Sequence, residues 1–166
     1  MALDILTWPA PMLSEVCPPV ETFDDDLAKL ADDMLETMYA APGRGLAAPQ
    51  VARTERMFVM DVAWKDGAAD PFICVNPEIL SASHETALGE EGCLSIPGVT
   101  MQVDRPVAIR LAWQTPDGKR LERDLTGAAA RCAQHELDHL NGILIFRRVP
   151  DDMRARYEAQ YRDTLA

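Results

Sequence analysis

Long apolar stretches are missing from this sequence: no run approaches the roughly 20 residues that a membrane-spanning helix requires. Residues 1–15 lack the basic start and apolar core of a secretory signal, so the expected location is cytoplasmic. Cysteines are few. Cys17, Cys74, Cys93 and Cys132 are widely spaced with no C-x-x-C pair, which fits reduced thiols better than a disulfide frame. Positive charge is also scarce, with 16 basic residues against 27 acids, a net charge of −11, and only three lysines. That balance argues against broad electrostatic binding to nucleic acid or anionic membrane, though not against a local basic face. Internal repeats, linkers and low-complexity tracts are absent, so residues 1–166 read as one domain large enough for a real core.

Histidine is rarer still, and its placement is informative. Of three histidines, two fall in Gln134-His135-Glu136-Leu137-Asp138-His139, at the end of an apolar helical run. On a helix advancing about 100° per residue, His135 and His139 lie one turn apart on one face. Two imidazoles so placed can grip one divalent cation, and Glu136 can reach water at that cation without being a ligand.

The surrounding chain reads as α+β, mixed antiparallel strands with a helix near each end of the body. Residues 1–20 form a Pro-rich arm anchored by Leu3, Ile5, Leu6 and Trp8. Thr22 caps a helix over about 24–40, which carries Leu27, Leu30, Ala31, Met34, Leu35 and Met38 at helical spacing and ends at Pro42-Gly43. Gly43-Arg44-Gly45-Leu46-Ala47-Ala48-Pro49-Gln50 is a close-approach loop. Strands are expected at 56–62 and 71–75, then, after a turn at Asn76-Pro77, at 78–88. Residues 89–95 break the pattern; strands resume at 99–103, 107–115 and, beyond a Pro116–Lys119 hairpin turn, 120–124. Thr126 caps the motif helix, Gly142 closes it, 143–146 is a short strand, and 150–166 is a last helix.

Two histidines leave a catalytic metal site one ligand short. A third histidine six residues on is ruled out, because Ile145 stands there, and Glu158 is the only downstream glutamate. Cys93, between Gly92 and Leu94, offers a soft thiolate upstream, with Cys132, one turn before His135, as a rival.

Three segments, 43–50, 91–95 and 134–142, resemble in order the three motifs of peptide deformylases (G-x-G-[LIV]-A-A-x-Q, E-G-C-L-S and H-E-x-D-H). The resemblance runs from the Pro-rich start to about Val149. It implies small sheets around a central metal-binding helix, and removal of the formyl group from the initiator methionine of nascent polypeptides. Position by position, it implies Cys93, His135 and His139 as metal ligands, Glu136 as general base and acid, and Gln50 with the Leu94 backbone N–H as oxyanion donors. Gly43, Arg44, Gly45, Glu91 and Arg131 would border the substrate, and Asp138 would orient a ligand. The implied cofactor is one divalent ion, Fe²⁺ in the cell with Zn²⁺ or Ni²⁺ as substitutes. Implied partners are N-formylmethionyl peptides and nascent chains at the ribosome, with no nucleic acid or membrane.

The match has departures. Arg44 and Arg131 stand where the family carries aliphatic residues lining its methionine pocket. Their guanidiniums either reach solvent or acids such as Glu90, or change the pocket, which would give a paralogue of altered N-acyl specificity. Ala10, Ser14 and Arg147 replace the family's more usual charged residues, and the mixed charges of the last helix show no strong ribosome anchor. A non-catalytic peptide-binding descendant should have lost Glu136, Gln50 or a ligand, and all are present.

Overall fold

The computed structural model describes residues 1–166. Helix α1 spans Asp25–Ala40, α2 Gly127–Leu140 and α3 Asp151–Thr164. Strands are β1 (Gly45–Ala47), β2 (Met57–Met60), β3 (Phe72–Ala82), β4 (Thr86–Cys93), β5 (Ile96–Pro106), β6 (Ala108–Gln114) and β7 (Arg120–Thr126). Two antiparallel sheets result, a five-stranded one ordered β1-β2-β3-β6-β7 and the β4-β5 hairpin. The expected α+β class holds. No helix is long and apolar enough to cross a membrane.

Three apolar clusters make up the core, and the first of them holds α2. Ala130, Ala133 and Leu140 pack against Phe58, Cys74 and Leu111 of the larger sheet. Leu30, Met34 and Met38 of α1 bury against Met57 and Val59. The β5 residues Val99, Met101 and Val103 pack with Phe146 and Tyr161. The N-terminal arm stitches these bodies together: Leu6 N–H donates to Gln50 O (2.7 Å) and Trp8 N–H to Ser95 O (2.8 Å). At the C-terminus of α2, Arg56 donates to Leu140 O (3.1 Å) and Asn141 Oδ1 (2.8 Å), placing a cation where the helix dipole is negative.

Several boundaries differ from the sequence-based expectation, each for a local reason. Asp24, not Thr22, caps α1, its Oδ1 accepting from Leu27 N–H at 3.0 Å. Thr126 does precede α2 but makes no side-chain cap bond. Asn76-Pro77 is not a turn, because β3 runs through it as a bulge between Val75 and Glu78. Asn76 tolerates the left-handed backbone there (φ 49°) and pairs its amide with both Val20 backbone groups. Residues 89–93 remain strand, with the turn confined to Leu94-Ser95. The apolar run 143–146 is no strand. Ile145–Arg148 forms a 3₁₀ turn whose buried Ile145 and Phe146 fill the cluster under α3, an outcome that periodicity cannot distinguish in so short a run.

Gly142 has φ +71°, and a Cβ there would lie 2.5 Å from Ser14 O. Gly142→Ala should therefore lower the melting temperature by several degrees, since strain of about 1–3 kcal/mol adds to a backbone clash. Gly67→Ala, also at positive φ (+91°) but with nothing within 4 Å, should cost clearly less, and thermal unfolding of both variants checks this.

Candidate metal centre and cleft

Helix α2 turns a polar face inward. Gln134, His135, Glu136, Asp138 and His139 are all buried, an arrangement that persists only if each polar atom finds a partner or a ligand. His135 and His139 point the same way, with ring centroids 5.0 Å apart. The β4 strand delivers Cys93 to the same point, with Sγ 3.4 Å from His139 Nε2. One donor atom from each of Cys93, His135 and His139 lies within 4.8 Å of the others. Cys132, the rival ligand, is outside this set and its Sγ faces Arg44 O at 3.5 Å. Glu158 is outside it too, on α3.

The donor set fits a divalent ion. A sulfur and two ring nitrogens are a known combination for zinc and related metals, and three protein ligands leave coordination positions open. Only two buried side-chain polar atoms lack a protein partner, Glu136 Oε1 and His139 Nδ1, and both belong to this centre. Burial holds His139 well below the usual histidine range, in the neutral form that ligates. Burial also opposes charge on His135, but Glu136, Cys93 and Glu91 together outweigh it and draw a proton onto the ring. Such an electron-rich cluster is one a cation can occupy in that proton's place.

The glutamate beside the first histidine is unlike an ordinary carboxylate. Burial pushes Glu136 up to about 7, against the opposing charge of His135. Its carboxylate is hemmed in by Gly45, where a Cβ would sit 2.5 Å from Oε2 and 2.9 Å from Cys132 Sγ. Gln50 occupies a one-turn 3₁₀ helix after β1. Its Oε1 accepts from Ala47 N–H (2.9 Å), while Nε2 donates to Ser95 Oγ (3.0 Å) and faces Cys93 Sγ at 3.7 Å.

Glu91 borders the cleft, as Gly43, Arg44, Gly45 and Arg131 do, but its carboxylate turns into the protein. It is buried and committed to the protein. Oε1 accepts from His135 Nδ1–H and from Arg105 Nη2 (both 2.9 Å), and Oε2 accepts from Arg105 Nε (2.5 Å) and Arg131 Nη1 (2.7 Å). Burial would raise its pKa, but the bonds from His135 and Arg105 prevail and hold it at about 2. Asp138 accepts from Arg105 Nη1 (3.0 Å) and from Arg148 Nη2 (2.6 Å), continuing the chain of charge. Arg105 and Arg148 belong to none of the three sequence motifs. A single arginine in a strand that otherwise buries apolar side chains was the clue available.

A cleft of about 720 Å³ opens beside the centre, bordered by Gly43, Arg44, Gly45, Leu94, Arg131 and Glu136. Arg131 reaches neither solvent alone nor Glu90. It binds Glu91 and the carbonyls of Val103 and Ala87. Arg44 is exposed and forms no ion pair. His84, the third histidine, is exposed between β3 and β4.

A Cys–His–His cluster able to hold a metal, a buried glutamate of raised pKa and an open cleft on this fold fit a metallohydrolase. Residues 2–155 match the family model for polypeptide deformylase, and the chain belongs to that family. It is 50% identical over 141 residues to a peptide deformylase of Phenylobacterium zucineum, covering 85% of this chain and 83% of that one. A peptide deformylase of Thermotoga maritima superposes with a TM-score of 0.85 at 43% identity, covering 90% of this chain and 99% of the other. A plant peptide deformylase reaches a TM-score of 0.93 at 33% identity, covering 98% and 88%. The chain is accordingly a deformylase, a metalloenzyme acting on N-formylated polypeptides.

Gly45→Ala should displace the Glu136 carboxylate while leaving the three ligands in place. Deformylation should fall by roughly 10²-fold, the scale of a 1 Å misplacement of a catalytic group, with bound metal unchanged. Steady-state kinetics alongside metal analysis checks both halves.

Proposed function

We propose that Cys93, His135 and His139 hold one divalent ion, and that Glu136 uses it to hydrolyse the formyl group from the initiator methionine of nascent chains. The observation that carries this reading is the unpartnered Glu136 Oε1, buried beside the Cys–His–His set and bordering the cleft. When bound, the ion supplies Lewis acidity, acidifying water and polarising the formyl carbonyl.

Glu136 accepts the proton of the attacking water. A carboxyl near 7 is suited to both halves of the reaction, because it is basic enough to take that proton and acidic enough to return it. As the carbonyl carbon becomes tetrahedral, its oxygen gains charge, and the Gln50 amide and Leu94 N–H are the donors that meet it. Gln50 is suited to that task because its Oε1 is fixed by Ala47 N–H, which orients Nε2 toward Cys93. Glu136 then passes its proton to the departing amine, and formate and a free amino terminus leave. Gly43 and Gly45 border the path of the peptide, and Arg44 and Arg131 stand on its walls.

The family resemblance favours Fe²⁺ in the cell, and the same donors accept Zn²⁺ or Ni²⁺. Nascent chains place the work in the cytoplasm, at the ribosome, within one catalytic domain of residues 1–166. The net charge of −11 makes direct nucleic-acid binding unfavourable.

Protein handled without oxygen and loaded with Fe²⁺ or Ni²⁺ should release formate from a formyl-Met peptide. Glu136→Ala should reduce kcat by about 10²–10⁴-fold while retaining metal, and undiminished turnover would sink the assigned role. Cys93→Ala should lose the metal, whereas Cys132→Ala and Glu158→Gln should keep it. Metal loss only in the Glu158 variant would refute the ligand set.

A further inference from the structure

We propose that Arg131 sets the metal affinity of the centre, lowering it, by sharing the Glu91 carboxylate with the ligand His135. The inference rests on the reading that Cys93, His135 and His139 hold the ion. Arg131 and His135 are one turn apart on α2 and meet the same acid: Arg131 Nη1 at Glu91 Oε2 (2.7 Å), His135 Nδ1 at Oε1 (2.9 Å).

The guanidinium is fixed there. Its Nη1 also donates to Val103 O (2.8 Å) and its Nη2 to Ala87 O (2.7 Å), so it spans both strands of the β4–β5 hairpin. It lies over Gly89, where a Cβ would come within 2.7 Å of Cζ, so the absence of a side chain at 89 is what admits it.

Two physical effects follow, and they act in the same direction. Arg105 and Arg148 with Glu91 and Asp138 make a balanced set of two positive and two negative groups. Arg131 adds a third positive charge to that set, next to the site proposed to take up a cation, and like charges repel. The side chain is 21% exposed, so solvent screens this only in part. The second effect runs through the ligand. A carboxylate that accepts from His135 Nδ1–H makes the ring a stronger donor through Nε2, and every further cation on that carboxylate drains the effect. Arg131 takes one of the four hydrogen bonds to Glu91 and so weakens the pull on His135.

Charge and scaffolding are separated by substitution. Metal-free protein is titrated with Zn²⁺ against a chromophoric chelator. Arg131→Met should bind Zn²⁺ more tightly, by on the order of tenfold, and Arg131→Lys, which keeps the charge, should stay near the native value. Gly89→Ala, which displaces the guanidinium without removing it, should shift affinity the same way as Arg131→Met by a smaller factor. Weaker binding in both Arg131 variants would mean that the side chain only braces Glu91 and would overturn the proposal, as would equal affinity across the series. If the native protein takes up no Zn²⁺, the metal-centre reading itself fails and this inference with it.

Discussion

Buried charge is costly unless each ion meets its opposite in good geometry, and this protein buries three connected charged side chains at its centre, with Arg131 and Arg148 joining them from the rim. Glu91 on β4, Arg105 on β5 and Asp138 on α2 tie the β4–β5 hairpin to the helix. Removing one member of such a group typically costs about 3–5 kcal/mol, because the remaining partner is stranded away from water. The group therefore fixes where the β4–β5 hairpin stands relative to α2. That spacing decides whether Cys93, carried by the hairpin, meets His135 and His139, carried by the helix.

The two halves of the centre differ in how they are satisfied. Around Glu91 every oxygen has a donor and the carboxyl is held at about 2, fully ionised and structural. Around Glu136 the environment is dry and one oxygen has no protein partner, so the carboxyl rises to about 7. Environment alone thus sets apart two glutamates beside the Cys–His–His cluster, one ionised and bonded to His135, the other with a carboxyl near neutrality. Gly45 and Gly89 contribute by having no side chain. The first lets the backbone of β1 approach Glu136, and the second leaves room for Arg131.

Much of the centre was legible before any coordinates. The four-residue spacing of His135 and His139 is a property of helix geometry, and the glutamate between them follows from the same count. Cys93 and Gln50 were legible in a weaker sense, through motif resemblance rather than spacing, because they lie 42 and 85 residues from His135 along the chain. The rivalry between Cys93 and Cys132 could not be resolved in one dimension. Cys132 is one turn from His135, but its Sγ faces Arg44 O, a direction set by how β1 packs on α2.

What the amino-acid order determined by itself is therefore local: the helix, its histidine pair, the α+β class and the excess of acids. Only the tertiary structure decided that the Glu91 carboxylate meets His135, that Arg105 and Arg148 brace the helix from a strand and a 3₁₀ turn, and that Arg131 enters the network. The physical reason is that hydrogen bonds and ion pairs between elements depend on directions in space. Periodicity reports only which face of one element a residue occupies, and says nothing of what the neighbouring element brings to meet it.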